Sequence, residues 1–435
     1  MKTYCKISGW ICLLMLLLTT IRLEAQEQAD NELTIDARLN TRGEYRQGGF
    51  NPDSTDNDKY THFIKGQYIM NINYKRSWLE LNFTPKMAGV WGDEVGTVNI
   101  SEAWALMKHK IGFFAKIGRQ NLSYDDERIL GYDDWTMTAP THDVIKLGYE
   151  GKRHKLHVIL AYNQNSANQD IGGTNYYNGM QPYKNMQTGW YHYDTPKNVL
   201  GISLLFMNVG MQSVNKYYSD ETYYQQMYGG YIKAQPGMFT FEAAYYYQDG
   251  KEEHGSDLDA YMCSVKLQAK FNEKYSVYAG YDNLSGDDAF TVPDGHHIGL
   301  AYHPVLKGFS PIFGSHHTFY GAMDFFYLDS YVSNYSPGLQ NVFIGTSITP
   351  VEKLNLNAAY HFFATATKLD GYDKSLGHDI ELVASYSFVK YVTLSAGYTF
   401  MYGTKTMQAL QHVGDNRRLH WAWVMLNINP TIFKK

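Results

Sequence analysis

The sequence predicts an all-β protein: a transmembrane antiparallel β-barrel of about 18 strands, with short turns at one rim and long loops at the other. Three observations carry that prediction. Apolar and polar residues alternate with a period of two along nearly the whole chain, which no helix tolerates. Beyond the first 25 residues no run approaches 18 consecutive apolar residues, so helical spans are excluded while strands that hide half their side chains in a polar lumen are not. Tyrosine supplies 38 of the 435 residues, within 15% aromatics, as suits a wall crossing two membrane–water interfaces.

The first 25 residues read as a secretory signal peptide: Lys2 and Lys6, an apolar run from Trp10 to Leu18, and Leu23-Glu24-Ala25 before Gln26. Residues 26–435 are then the barrel. Losing Lys2, Lys6, Arg22 and Glu24 with the leader takes the formal charge from −5 to −7 and leaves Cys263 as the one cysteine. No intrachain disulfide or Cys-based zinc module can form, and the lack of basic excess argues against nucleic acid. At 44% hydrophobic and 19% charged the chain is too apolar to be disordered.

The first strand sets the pattern. Leu33, Ile35, Ala37, Leu39 and Tyr45 take one face; Thr34, Asp36, Arg38, Asn40, Arg42, Glu44 and Arg46 take the other. With that strand beginning about seven residues after the cleavage site, no N-terminal plug of a TonB-dependent transporter is expected. Further along, Leu354-Leu356-Ala358-Tyr360-Phe362, Ile380-Leu382-Ala384-Tyr386-Phe388 and Val392-Leu394-Ala396-Tyr398-Phe400 repeat one formula at every second position, and Phe239-Phe241-Ala243-Tyr245-Tyr247 is close to it. Aliphatic mid-strands ending in aromatics describe a bilayer-facing surface and its girdle. A soluble sandwich also alternates, but rarely gathers Tyr at strand ends.

Eight short connections are expected, at 76–77, 110–112, 151–153, 196–198, 236–237, 272–274, 350–353 and 389–391. Nine longer polar ones alternate with them, at 47–59, 89–97, 121–142, 164–186, 213–221, 249–256, 285–338, 368–375 and 403–417. The alternation of periplasmic turn and extracellular loop gives 18 strands. His317 to Leu328 could pass for a strand, but counting it alone would make the total odd, so it is assigned to the 285–338 loop. That loop is far longer than two strands require, and Phe309, Ile312, Phe313, Phe319 and Phe325 within it suit a segment folded over or into the mouth.

Four blocks then resemble the alginate export family of outer-membrane channels: GRQNLSYDDERILG (Gly118 to Gly131), GYDNLSGDD (Gly280 to Asp288), FSPIFGSHHTFYGAMDFF (Phe309 to Phe326) and LGHDIELVASYSF (Leu376 to Phe388). The resemblance runs from about Leu33 to the end. It implies a monomeric 18-stranded barrel in the outer membrane of a Gram-negative bacterium, with an arginine-lined, anion-conducting lumen; it does not transfer the cargo.

A passive channel needs lumen charge opposite to its cargo, because a low-dielectric wall focuses the field on the pore axis. Parity places Arg38, Arg42 and Arg46 in the lumen on the first strand, Lys65 and Lys75 on the second, Lys86 on the third, and Lys266 and Lys270 further on. Arg38 and Arg42 are the first choices for a carboxylate, which a planar guanidinium matches well. Their counter-ions would be Asp36, Glu44, Glu80, Asp379 and Glu381. Lys116 also faces in, whereas Arg119 shares parity with Ala115 and Ile117; a bulge at Gly118 would bring it into the lumen, as the resemblance wants. Otherwise Arg119 snorkels at the strand end. In the loops, Asp125 to Arg128 and Gly286 to Asp288 offer a Ca2+ site or, better supported, an ion pair such as Arg128 with Asp287. No cofactor or metal is expected: His296-His297 and His316-His317 are adjacent pairs that point apart.

The function expected is a passive channel for anionic solutes, above all acidic saccharides such as uronate-containing glycans or a small anionic cargo, held as a monomer by outer-membrane lipid. An enzyme is not expected. A barrel-embedded lipid hydrolase would need Ser and His together on the lipid face, where parity places no such pair. A structural or adhesive barrel with a blocked lumen is the third reading.

Overall fold

A computed structural model of the chain describes residues 31–47, 60–93, 97–132, 134–136, 140–166, 175–214, 220–287, 305–326, 336–369, 371–411 and 418–435. The leader, Cys5, Cys12, Asp288 and His296-His297 lie outside them. The strands are β1 (Glu32–Gln47), β2 (Tyr60–Lys75), β3 (Leu79–Val90), β4 (Thr97–Lys108), β5 (Phe113–Gln120), β6 (His142–Glu150), β7 (His154–Tyr162), β8 (Asn185–Asp194), β9 (Leu200–Gln212), β10 (Thr222–Ala234), β11 (Phe239–Lys251), β12 (Asp257–Asn272) and β13 (Tyr275–Leu284). They continue with β14 (Val305–Leu306), β15 (Leu339–Ile348), β16 (Leu354–Ala364), β17 (Ser375–Val389), β18 (Val392–Gly403), β19 (Arg418–Ile428) and β20 (Thr431–Lys434).

Eighteen of these form the wall. Each pairs antiparallel with its neighbour in sequence, β13 with β15 across the long loop, and β19 with β1 from Leu39↔Ile428 to Gln47↔His420. The ring is closed, so no strand edge is left unpaired. β14 is a two-residue clip, parallel to β12 and inside the long loop; β20 extends β19 along the first residues of β1. All eight short turns fall where the sequence puts them, and His316–Thr318 is a single 3-10 turn rather than a strand. Pro85 cannot donate to the ladder, and the β3–β4 register shifts there.

Outer and inner faces separate residue by residue. On β12, Tyr261, Val265, Leu267 and Phe271 are exposed while Met262 and Ser264 are buried, which puts Cys263, of the same parity as Tyr261, on the outer face. Exposed Tyr45, Tyr60, Tyr228, Tyr245, Tyr261, Tyr360 and Tyr398 stand toward the loop rim; Phe113, Phe239, Phe271, Tyr275 and Phe388 stand toward the turn rim. These are the two interfacial girdles.

The wall is uneven in height. β5 to β8 run for 8 to 10 residues, against 16 in β1, β2 and β12. The loop after β5 therefore leaves low in the wall and turns inward.

Candidate functional site

Two loops meet inside the barrel, segment 121–141 (loop A) and the described part of 285–338 (loop B). They join as a short parallel pair: the Gly131 N–H donates to the Phe313 carbonyl at 2.9 Å and the Ser315 N–H to the Glu127 carbonyl at 2.9 Å. Only glycine fits at this seam, since a Cβ on Gly314 would stand 2.2 Å from the Arg128 carbonyl oxygen and one on Gly131 2.6 Å from the Ser315 nitrogen. Leu122, Tyr124, Ile129 and Leu130 of loop A then pack with Phe309, Phe313, Tyr320, Met323 and Phe326 of loop B in one buried cluster. The cluster reaches wall residues Met186, Met207, Met262, Phe363 and Trp421. The apolar side chains of the long loop, which the sequence led us to expect over or in the mouth, make a core within the lumen together with loop A.

Arg128 locks that core. Its guanidinium is 5% exposed and makes an ion pair with Asp126 at 3.2 Å and with Asp282 of β13 at 3.1 Å. It donates to Tyr320 Oη at 3.1 Å and Ser264 Oγ of β12 at 3.0 Å, with the Phe319 ring 4.0 Å away. Burial alone would depress its pKa, but Asp282, Tyr320 and Asp126 hold it well above the usual range. The partner is thus Asp282 rather than Asp287, which accepts the Lys307 and Ser336 N–H groups within loop B. Beyond Asp282, Asn341 Nδ2 donates at 2.9 Å, and Asn341 Oδ1 meets His361 Nδ1 at 3.0 Å. His361 faces Glu381 at 3.7 Å, and Glu381 accepts the Ala322 N–H at 2.6 Å. Lumen acids here seat loop B. Asp379, 1% exposed, has no hydrogen-bond partner on either carboxyl oxygen among the described residues.

On the opposite wall, β1 to β3 present a ladder of cations. Arg38 pairs with Asp134 of loop A at 2.5 Å and Lys86 with Asp134 at 3.6 Å; Arg42, Arg46 and Lys65 approach Glu44 at 2.9, 2.8 and 4.0 Å. Glu44 also accepts from Trp421 Nε1 at 3.1 Å. Asp324 of loop B is within electrostatic reach of Arg42 and Lys65. Among the described residues, five cations on this wall gather around three carboxylates, a local positive excess. Tyr132, hydrogen-bonded to Asp134, has its phenol pushed up to about 12 by burial and that carboxylate.

The sequence-expected residues fare differently. Arg38, Arg46 and Lys65 keep 28%, 21% and 30% of their side chains open. Arg42 is corrected from a solute contact to a brace: at 2% exposure its guanidinium lies 3.8 Å from the Trp135 ring and donates to the Trp135 carbonyl. Lys116 faces the lumen with its ammonium 3.8 Å from the Trp104 ring. Arg119 is corrected to the outer face. Gly118 has φ +120°, but the β4–β5 and β5–β6 registers do not slip, so no bulge turns Arg119 inward. It forms a two-bond pair with Asp143 at 2.8 Å, on the parity of exposed Ile117 and Ile145.

Sequence reasoning missed an aromatic cluster beside the ladder. Trp135 stacks on His317 at 4.4 Å and meets Trp423 edge-on at 4.9 Å and Trp421 at 5.7 Å. Trp421 and Trp423 take the buried, lumen-facing parity of β19, opposite exposed Val424. A Ser–His–Asp contact also exists, His192 Nδ1 to Ser203 Oγ at 2.8 Å and Nε2 to Asp194 at 3.0 Å. It faces the lumen, and Ser203 is 1% exposed and shared with Asp125. Among the described residues no group of three His, Cys, Asp or Glu could hold a metal ion.

A closed, monotonically antiparallel 18-stranded ring, lipid-facing aromatics at both rims and loops folded into a charged lumen define a porin-like barrel of the Gram-negative outer membrane. The sequence profile described as alginate export matches residues 80–380, and the chain belongs to that family. It is similar in fold to Pseudomonas aeruginosa OccK2 (OpdF), solved with glucuronate: TM-score 0.61, 12% identity, covering 92% of this chain and 98% of that one. P. aeruginosa OpdK compares at TM-score 0.60 and 10% identity over 92% and 98%, and OpdK solved with vanillate at 0.58 and 11% over 91% and 98%. No curated protein matches the chain.

Proposed function

We propose that the protein is a passive channel for anionic solutes, with acidic saccharides such as uronates as the cargo class. The observation that carries this is the ladder on β1 to β3, where Arg38, Arg42, Arg46, Lys65 and Lys86 gather around Glu44, Asp134 and Asp324. Arg38, Arg46 and Lys65 are the members a solute meets, and a carboxylate there gains charge-assisted hydrogen bonds that a neutral sugar does not. The glucuronate and vanillate of the two similar barrels are both carboxylates. Flux follows the gradient, no enzymatic step is assigned, and one chain in lipid suffices because the ring closes on itself.

A structural barrel with a blocked lumen is the second reading, favoured by the loop core around Arg128. Liposomes carrying the protein test both. Entry of glucuronate faster than glucose supports the channel; equal entry removes the anion preference, and no entry of either supports the blocked barrel.

A further inference from the structure

At the loop rim, on the far side of loop A from the cation ladder, lies a cavity of ≈ 320 Å³ between segment 176–184 and residues 211–214. That is the small end of the range for ligand sites. The half-buried Tyr176 and the exposed Asn178 line it, over the buried Tyr177 and Tyr183. Such a wall offers an aromatic face to the C–H side of a sugar ring and an amide to its hydroxyls. We propose that this cavity is a docking site for an uncharged saccharide ring, separate from the lumen.

Two observations select that ligand. Ser213 lines the cavity and is 1% exposed, yet among the described residues its hydroxyl has no hydrogen-bond partner. A buried hydroxyl left unpaired is costly, and a ligand hydroxyl satisfies it. The one cation among the described lining residues, Lys184, is 3% exposed and spends its three N–H groups on Gln212 Oε1 at 3.4 Å, the Asp220 carbonyl at 3.2 Å and Thr222 Oγ1 at 3.0 Å. Glu253 adds negative charge to the same wall. Among the described residues a uronate carboxylate would find repulsion and no free cation, whereas a neutral hexose finds neither obstacle. Tyr183 joins this cavity to the loop core, its hydroxyl 2.9 Å from His142 Nδ1 and its ring 5.4 Å from Phe313. A ring docked here therefore sits at the entrance that loops A and B occupy.

The test is saturation-transfer NMR on the detergent-solubilised full-length protein, with the methyl glycosides of glucose, galactose and mannose and with glucuronate as probes. Transfer to at least one neutral glycoside is expected, weakened about five-fold by Ser213→Ala. It should be abolished by Val214→Trp, which fills the cavity from an exposed position and leaves the buried hydroxyl in place. Arg46→Gln with Lys65→Gln should leave it unchanged, so failure here and failure of the lumen reading are separate results. No transfer to any neutral glycoside, transfer unaffected by Val214→Trp, or preference for glucuronate would each overturn the proposal.

Discussion

At the scale of single residues, buried charge decides how firmly the lumen loops are held. Arg128 is enclosed by Asp126, Asp282, Tyr320 and Ser264. Removing one member of a buried ion pair leaves the other charge uncompensated, at about 3–5 kcal/mol. Arg128→Met is expected to release loops A and B while the wall persists, seen as new protease cleavage within 121–141 and 305–326 and as raised conductance. Asp125 responds to pH instead. Burial raises its pKa, and bonds from Ser203 and Trp190 only partly offset this. A folded-state value above the ordinary one, near ~4, means the seated loop holds the proton more tightly than the released loop. Seating is therefore firmest below the ordinary value and weakens as pH rises through the raised one. Single-channel records should show fewer loop-opening events at pH 4 than at pH 7, and Asp125→Asn should remove that difference; a pH-independent record in the unmodified protein would contradict it. None of this was legible beforehand, because parity assigns a face to a strand residue but is silent on a loop that re-enters the barrel. Arg128 was marked by its motif, and its partner Asp282 was one strand face away from the Asp287 that sequence proximity suggested.

At the scale of elements, alternation was fully informative. Every short turn, the 18-strand count and the outward register of Cys263 follow from period two and from Gly, Pro and Asn at the turns. A membrane-impermeant thiol reagent applied to whole cells should leave Cys263 unmodified, and ready labelling would mean that its register is off by one residue. At Gly118–Arg119 it was the family motif that misled: the motif argued for a bulge, and the unslipped ladder keeps Arg119 outside against Asp143, where alternation had put it. Loop B was legible by composition, since five Phe and Ile side chains demanded burial, but its docking partner, loop A, was not. Deleting 309–326 should raise conductance several-fold while the barrel stays folded, as judged by heat-modifiable mobility on gels. Unchanged conductance would show that the loop core does not restrict passage.

At the scale of the whole molecule, the account sets local charge against net charge. The chain carries −5 overall, yet its lumen is divided into sectors. Acids at Asp282, Glu381 and Asp126 are consumed in seating the loops, while the β1 to β3 ladder keeps a positive excess. Charges in outer loops are screened over roughly 8 Å at physiological salt, whereas cations in a low-dielectric wall act on any ion that passes. Charge reversal at Arg42, attractive from sequence alone, would bury a second carboxylate beside Glu44 and unfold the brace it was meant to probe. Arg46→Gln with Lys65→Gln alters only partly exposed side chains and should shift selectivity toward cations with the fold intact. The central claim is met most directly by the reversal potential of the unmodified protein in a planar bilayer across a tenfold potassium chloride gradient. An anion-selective potential is expected; a cation-selective one would mean that the lumen carboxylates outweigh the ladder, and would contradict the assignment of acidic cargo.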